Sequence, residues 1–96
     1  MNINKQLIAI MEKNGFEIKG KTKEEWKIPY EVKGLKERYE LSVPNANKKQ
    51  LKKSLLRHID YWKVIAMDGT NSLKIQREAE KVINKFKKVI GEINGI

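Results

Sequence analysis

Apolar residues in this chain recur at two different spacings, and the order of the spacings predicts the elements. Over residues 3–14, Ile3, Leu7, Ile8, Ile10 and Met11 form a stripe at helical spacing. Asn14-Gly15 closes that helix, because glycine takes the left-handed C-terminal position without steric strain. Phe16 and Ile18 then alternate with Glu17 and Lys19, which predicts a short strand, and Gly20 to Glu24 reads as a loop. Residues 25–32 alternate with period two: Trp26, Ile28, Tyr30 and Val32 share one face, and Lys27, Pro29 and Glu31 the other. Pro29 has no amide for a ladder, so this strand is expected at a sheet edge or bulged there. After a turn at 33–37, residues 38–43 alternate again, with Tyr39, Leu41 and Val43 together. The two runs predict an antiparallel hairpin with one wet face.

Helical spacing returns after Pro44-Asn45-Ala46. Asn47 is expected to cap a helix over 48–65, in which Leu51, Leu55, Ile59 and Trp62 face the core with Leu56 and Ile65 beside them. Asp68-Gly69 marks a turn, and Asn71 is the expected cap of a last helix reaching about residue 93. Its apolar positions Ile75, Ala79, Val82, Phe86, Val89 and Ile93 are spaced 4-3-4-3-4, flanked by Ile83 and Ile90. That spacing suits a coiled-coil seam, and so a homodimer. The flanking residues widen the stripe toward a helix lying on its own core, which favours a monomer. The expected fold is α+β: a small antiparallel sheet with helices in the order α-β-β-β-α, plus a long C-terminal helix. A single domain spans 1–96, with a 1–65 unit and a 71–93 helix packed on it.

Charge changes this picture. Nine Lys/Arg stand against seven Asp/Glu up to residue 44, and twelve against five from residue 45, within a net charge of +9. The excess therefore sits on the last two helices. Lys49, Lys53 and Arg57 follow one another at four-residue intervals, with Lys48 and Lys52 alongside, opposite Leu51, Leu55 and Ile59. Asp60 is the only acid on that helix. Like charges four residues apart repel, so an uncompensated stripe points to a partner that supplies negative charge. Lys74, Arg77, Lys81, Lys85 and Lys88 form a possible second stripe, partly offset by Glu78 and Glu80. Lysine predominates in both, which suits phosphate contact more than base-edge reading. Nucleic acid, RNA or DNA, is the first partner implied.

Candidate chemistry adds little beyond this. His58 is the single histidine and borders the buried face; its expected role is structural. Glu24-Glu25 reads as a solvated pair. No metal-ligand spacing, glycine-rich phosphate loop or cysteine is present, so neither a cofactor nor catalysis is expected. Trp26, Tyr30 and Tyr39 could stack on bases from a sheet face, as aromatics do in single-strand binders, but they share the buried parity and are expected in the core. No apolar run is long enough to span a bilayer and no signal-peptide pattern opens the chain. A cytoplasmic protein without membrane contact is expected.

Two stretches, Leu7 to Phe16 (LIAIMEKNGF) and Leu41 to Ile59 (LSVPNANKKQLKKSLLRHI), resemble the HicA family of small mRNA interferase toxins. The resemblance covers roughly the first 60 residues. It implies a double-stranded-RNA-binding-type fold, with Lys48, Lys49, Lys52 and Lys53 as phosphate contacts at a helix start. The family's catalytic histidine is absent: Lys23-Glu24-Glu25-Trp26 stands in its place. The resemblance thus implies RNA binding without nuclease chemistry, with a nuclease using Glu25 as a base as the minority alternative. A different class of role is a protein-binding module or inhibitor, of mobile-element or toxin-antitoxin type, whose basic face meets an acidic protein.

Overall fold

A computed structural model describes residues 3–21 and 24–96. Helix α1 (Ile3–Lys13) leads to strands β1 (Trp26–Glu31) and β2 (Arg38–Val43). A short 3-10 turn (Pro44–Ala46) follows, then helices α2 (Lys48–Met67) and α3 (Leu73–Asn94). α2 and α3 form a helical hairpin, and the sheet and α1 cover its apolar side. The molecule measures 46 × 25 × 20 Å.

α1 ends as its Asn-Gly predicts. Gly15 has φ 89°, the Gly15 amide donates to the Glu12 carbonyl, and the Phe16 amide reaches back to the Met11 carbonyl. That pair of bonds satisfies carbonyls the helix end would leave open. Leu7 and Met11 are fully buried, whereas Ile3 is exposed.

Two strands form among the described residues, not the expected three. β1 and β2 pair antiparallel, Trp26 opposite Val43, Ile28 opposite Leu41 and Tyr30 opposite Tyr39, so the inward side chains meet across the strands. Phe16 and Ile18 are buried as their alternation predicts, yet this segment contributes only one bridge, Lys19 to Lys27. The reason is Pro29. Both backbone groups of Lys27 bond Lys19, so alternate residues of β1 direct theirs to that edge. The next pair would be Glu17 with Pro29, which has no amide to donate. Pairing stops, and a gap of about 320 Å³ opens between Glu17, Lys19, Pro29 and Glu31. Pro29 therefore lies at a sheet edge, as expected. The expected loop at 20–24 includes Thr22 and Lys23, which lie outside the described residues.

Asn47 caps α2 as expected, its side chain accepting from the Gln50 amide at 2.9 Å. The cap of α3 is Ser72 and not Asn71, and α3 accordingly starts at Leu73. Asn71 serves the other helix: its Nδ2 donates to the Ile65 carbonyl near the end of α2. The α3 stripe is used within the chain. Ala79, Ile83, Phe86, Val89 and Ile93 are buried, with Val82 and Ile90 partly so, which makes Ile83 and not Val82 the deeper residue of its turn. Leu56, expected beside the core, is 51% exposed, because one residue beyond Leu55 turns about 100° toward solvent. No helix of the described residues is long and apolar enough to cross a membrane.

Candidate nucleic-acid interface

The basic face of α2 is built by the turn that precedes it. Val43 ends β2 in the core, and Asn45 and Ala46 take left-handed backbone angles (φ 62° and 35°). Asparagine tolerates that region; alanine is strained there by roughly 1–2 kcal/mol, opposed by burial of its methyl group. The turn launches α2 with Leu51, Leu55, Ile59 and Trp62 inward and Lys49, Lys53 and Arg57 outward, as the sequence predicts. Lys48 and Lys52 are half-buried along the border.

Partners separate these cations. Lys48 Nζ donates to the Ile96 carbonyl at 2.7 Å. Among the described residues, Lys49, Lys52, Lys53 and Arg57 make no ion pair or side-chain hydrogen bond. The first turn of α2 holds no acid, although the positive end of a helix dipole favours one. Lys48, Lys49, Lys52, Lys53 and Leu56 together line an open groove of about 620 Å³.

The second stripe has different surroundings. Lys81 pairs with Glu78 at 3.1 Å, and Lys85 lies over the Phe16 ring, 4.6 Å from its centroid. Lys74 is packed near Gly34. Arg77 and Lys88 are exposed. Part of this stripe's charge thus has a use inside the fold, unlike that of Lys49, Lys52, Lys53 and Arg57. Glu24 and Glu25 are exposed, and Glu25 accepts from the Ser42 hydroxyl at 3.4 Å.

The sequence reading missed an aromatic end to the α2 face. Tyr61 follows Arg57 by four residues and so continues the Lys49, Lys53, Arg57 series by one more turn. Its side chain is 50% exposed. Tyr39, Arg57, His58 and Tyr61 line a cavity of about 370 Å³. Trp26 and Tyr30 are buried as expected, but Tyr39 only partly.

His58 is tied into this end by two hydrogen bonds. Trp62 Nε1 donates to the Tyr30 hydroxyl at 2.9 Å, and that hydroxyl lies 2.6 Å from His58 Nδ1. An indole can only donate, so the tyrosine proton is free to go to His58. Nδ1 is then the acceptor and Nε2 carries the ring proton. Burial pushes the Tyr30 hydroxyl up to about 12. Burial, and then the neighbouring Arg57 charge, hold the His58 imidazole below its usual value near 6.5.

The sign of the linkage follows. Below about pH 6.5 the unfolded chain takes up a proton that folded His58 resists, so the unfolded state gains as pH falls. His58 contributes its stability in full above about 6.5 and loses it as pH drops toward the depressed folded value. The melting temperature is therefore expected to be level from pH 8 to 7 and to fall as pH drops below about 6.5. His58→Gln should flatten that fall; melts at four pH values in one buffer series check this, and an equal decline in the variant would assign it to other groups. The carboxyls of Glu92, held low by its hydrogen bond from Lys13, and Asp68, held low by Thr70, act in the same direction in a more acidic window.

Among the described residues, no three His, Asp or Glu side chains gather as a metal site requires. Compared with protein-family models, curated proteins and solved structures, the chain shows no match.

Proposed function

We propose that this chain is a small nucleic-acid-binding protein, without catalysis of its own, that contacts phosphates through α2. The carrying observation is that Lys49, Lys52, Lys53 and Arg57 lie together with no internal counter-charge among the described residues, beside a second stripe whose charges are partly engaged. Lysines that meet phosphates displace condensed counterions, and the positive end of the α2 dipole adds to the attraction. The likeness of Leu41 to Ile59 to the HicA family's Lys-rich helix start supports the same residues for the same role, and the missing histidine supports the absence of cleavage.

Four or five phosphate contacts give an expected log–log slope of affinity against salt of about −3 to −4.5, from single strands to duplex. Anisotropy titrations of a labelled oligonucleotide across a salt series measure it; affinity that stays flat removes the electrostatic mechanism.

One observation favours a second reading, an acidic protein as partner. Leu56 stands exposed among the lysine stems, and Val64 and Met67 are exposed further along α2. The two readings separate on purification. Host nucleic acid released by a high-salt wash, seen in the ratio of absorbance at 260 to 280 nm, supports the first. A clean protein that retains one acidic partner supports the second.

A further inference from the structure

We infer that the cavity between Tyr39, Arg57, His58 and Tyr61 receives an unpaired base of a single-stranded nucleic acid whose phosphates follow Lys49, Lys53 and Arg57. The inference rests on the proposed reading of α2 and names the form of nucleic acid that reading leaves open.

Position comes first. Residues four apart on a helix advance about 6 Å along its axis. Lys49, Lys53 and Arg57 set three cations at that step, and Tyr61 sets an aromatic ring at the next. A strand held by its phosphates along the first three is carried to the ring.

The cavity has the shape and chemistry for a flat, partly polar guest. The Tyr39 and Tyr61 rings are a tilted contact pair, 6.3 Å between centroids and inclined at 50°, and so give the cavity a wedge-shaped aromatic wall on which a base can stack. Both rest against the buried Trp62 ring at near-perpendicular angles, with centroids at 4.8 and 5.0 Å. That contact fixes the wedge before any ligand arrives, which lowers the ordering cost of binding. Tyr39 is held further by its hydroxyl, which donates to Glu37 at 3.4 Å. An exposed aromatic ring beside a guanidinium is the combination on which bases stack.

His58 adds a directed donor. Its Nδ1 faces the Tyr30 hydroxyl, which leaves Nε2–H without an acceptor among the described residues, on a ring that forms part of the cavity wall. A base carbonyl meets that donor. Bases within a duplex are stacked and cannot enter the wedge, so single strands should bind better than duplex of equal length.

The test compares a labelled oligo(dT) of about 12 nucleotides with a duplex of the same length. Binding is measured by anisotropy to the wild type, Tyr61→Ala and Tyr61→Phe across a salt series. Tyr61→Ala should weaken oligo(dT) binding by about 5- to 150-fold, from the stacking energy of one base. Its salt slope should match the wild type, because the phosphate contacts remain. Tyr61→Phe should keep most of the affinity, and duplex binding should not change in either variant. Thermal melts establish that both variants are folded. Equal, salt-sensitive binding of oligo(dT) by wild type and Tyr61→Ala overturns the base site and leaves the α2 reading standing. A similar loss on duplex also overturns it, because the ring would then serve binding in general. Failure of the wild type to bind either probe overturns both.

Discussion

Phe86→Ala is expected to lower stability by about 3–5 kcal/mol. Phe86 is 1% exposed and stands where three parts of the fold meet. Its ring packs edge-on against Tyr30 of β1 at 5.2 Å, tilts against Phe16 at 5.7 Å, and meets His58 of α2 at 6.5 Å. Truncation leaves a cavity whose walls are other aromatic rings, which cannot collapse inward without leaving their own contacts. A chain of this size holds about 5–15 kcal/mol in all, so the variant should fold but melt roughly 12–40 °C lower. The loss should be the same at every protein concentration, because the ring is buried against its own chain. A wild-type melting temperature that climbs across a hundredfold rise in concentration, approximately, would instead mean that α3 shares its seam with a second copy.

Much of this arrangement was legible in the order of residues, because it rests on periodicity. The three helices and the 26–43 hairpin follow from spacings of 3.6 and two, and so does the outward placement of Lys49, Lys53 and Arg57. What was not legible depends on distant partners or on competition between neighbours. The alternation at Phe16 and Ile18 reports burial correctly but says nothing about whether an amide waits across the gap; Pro29 decides that. Asn71 and Ser72 are both good caps, and the choice falls to Ser72 because Asn71 is drawn to the end of α2. Leu56 looks like core by composition and is placed in solvent by one step of helical rotation. The bond between Tyr30 and His58 joins residues 28 positions apart, and Tyr61 meets Tyr39 only when β2 packs against α2. The aromatic end of the basic face thus appears with tertiary structure, although Tyr61 continues the series of four that begins at Lys49.

The Lys49→Glu, Lys53→Glu double change should separate binding from folding more sharply than any other. If each lysine makes one charge-assisted contact to phosphate, of about 1.5–3 kcal/mol, affinity for nucleic acid should fall on the order of 100-fold or more. The log–log salt slope should become shallower by roughly two contacts' worth, about 1.4 on a single strand and about 1.8 on duplex. Stability should move the other way or not at all. Position 49 lies in the first turn of α2, where a carboxylate favours the dipole by about 0.3–1 kcal/mol and a lysine opposes it. A glutamate at position 53 stands four residues before Arg57, the favourable order for a helical ion pair. The new repulsion between positions 49 and 53 replaces a repulsion of the same kind between lysines. The basic stripe is therefore maintained against the local preference of its own helix, which is the pattern expected of residues kept for a partner and not for the fold. A double variant that melts several degrees lower would show that these lysines serve packing. One that is folded and binds as well as the wild type would move the interface off α2, with the stripe of Lys74, Arg77, Lys81, Lys85 and Lys88 on α3 as the next surface to reverse.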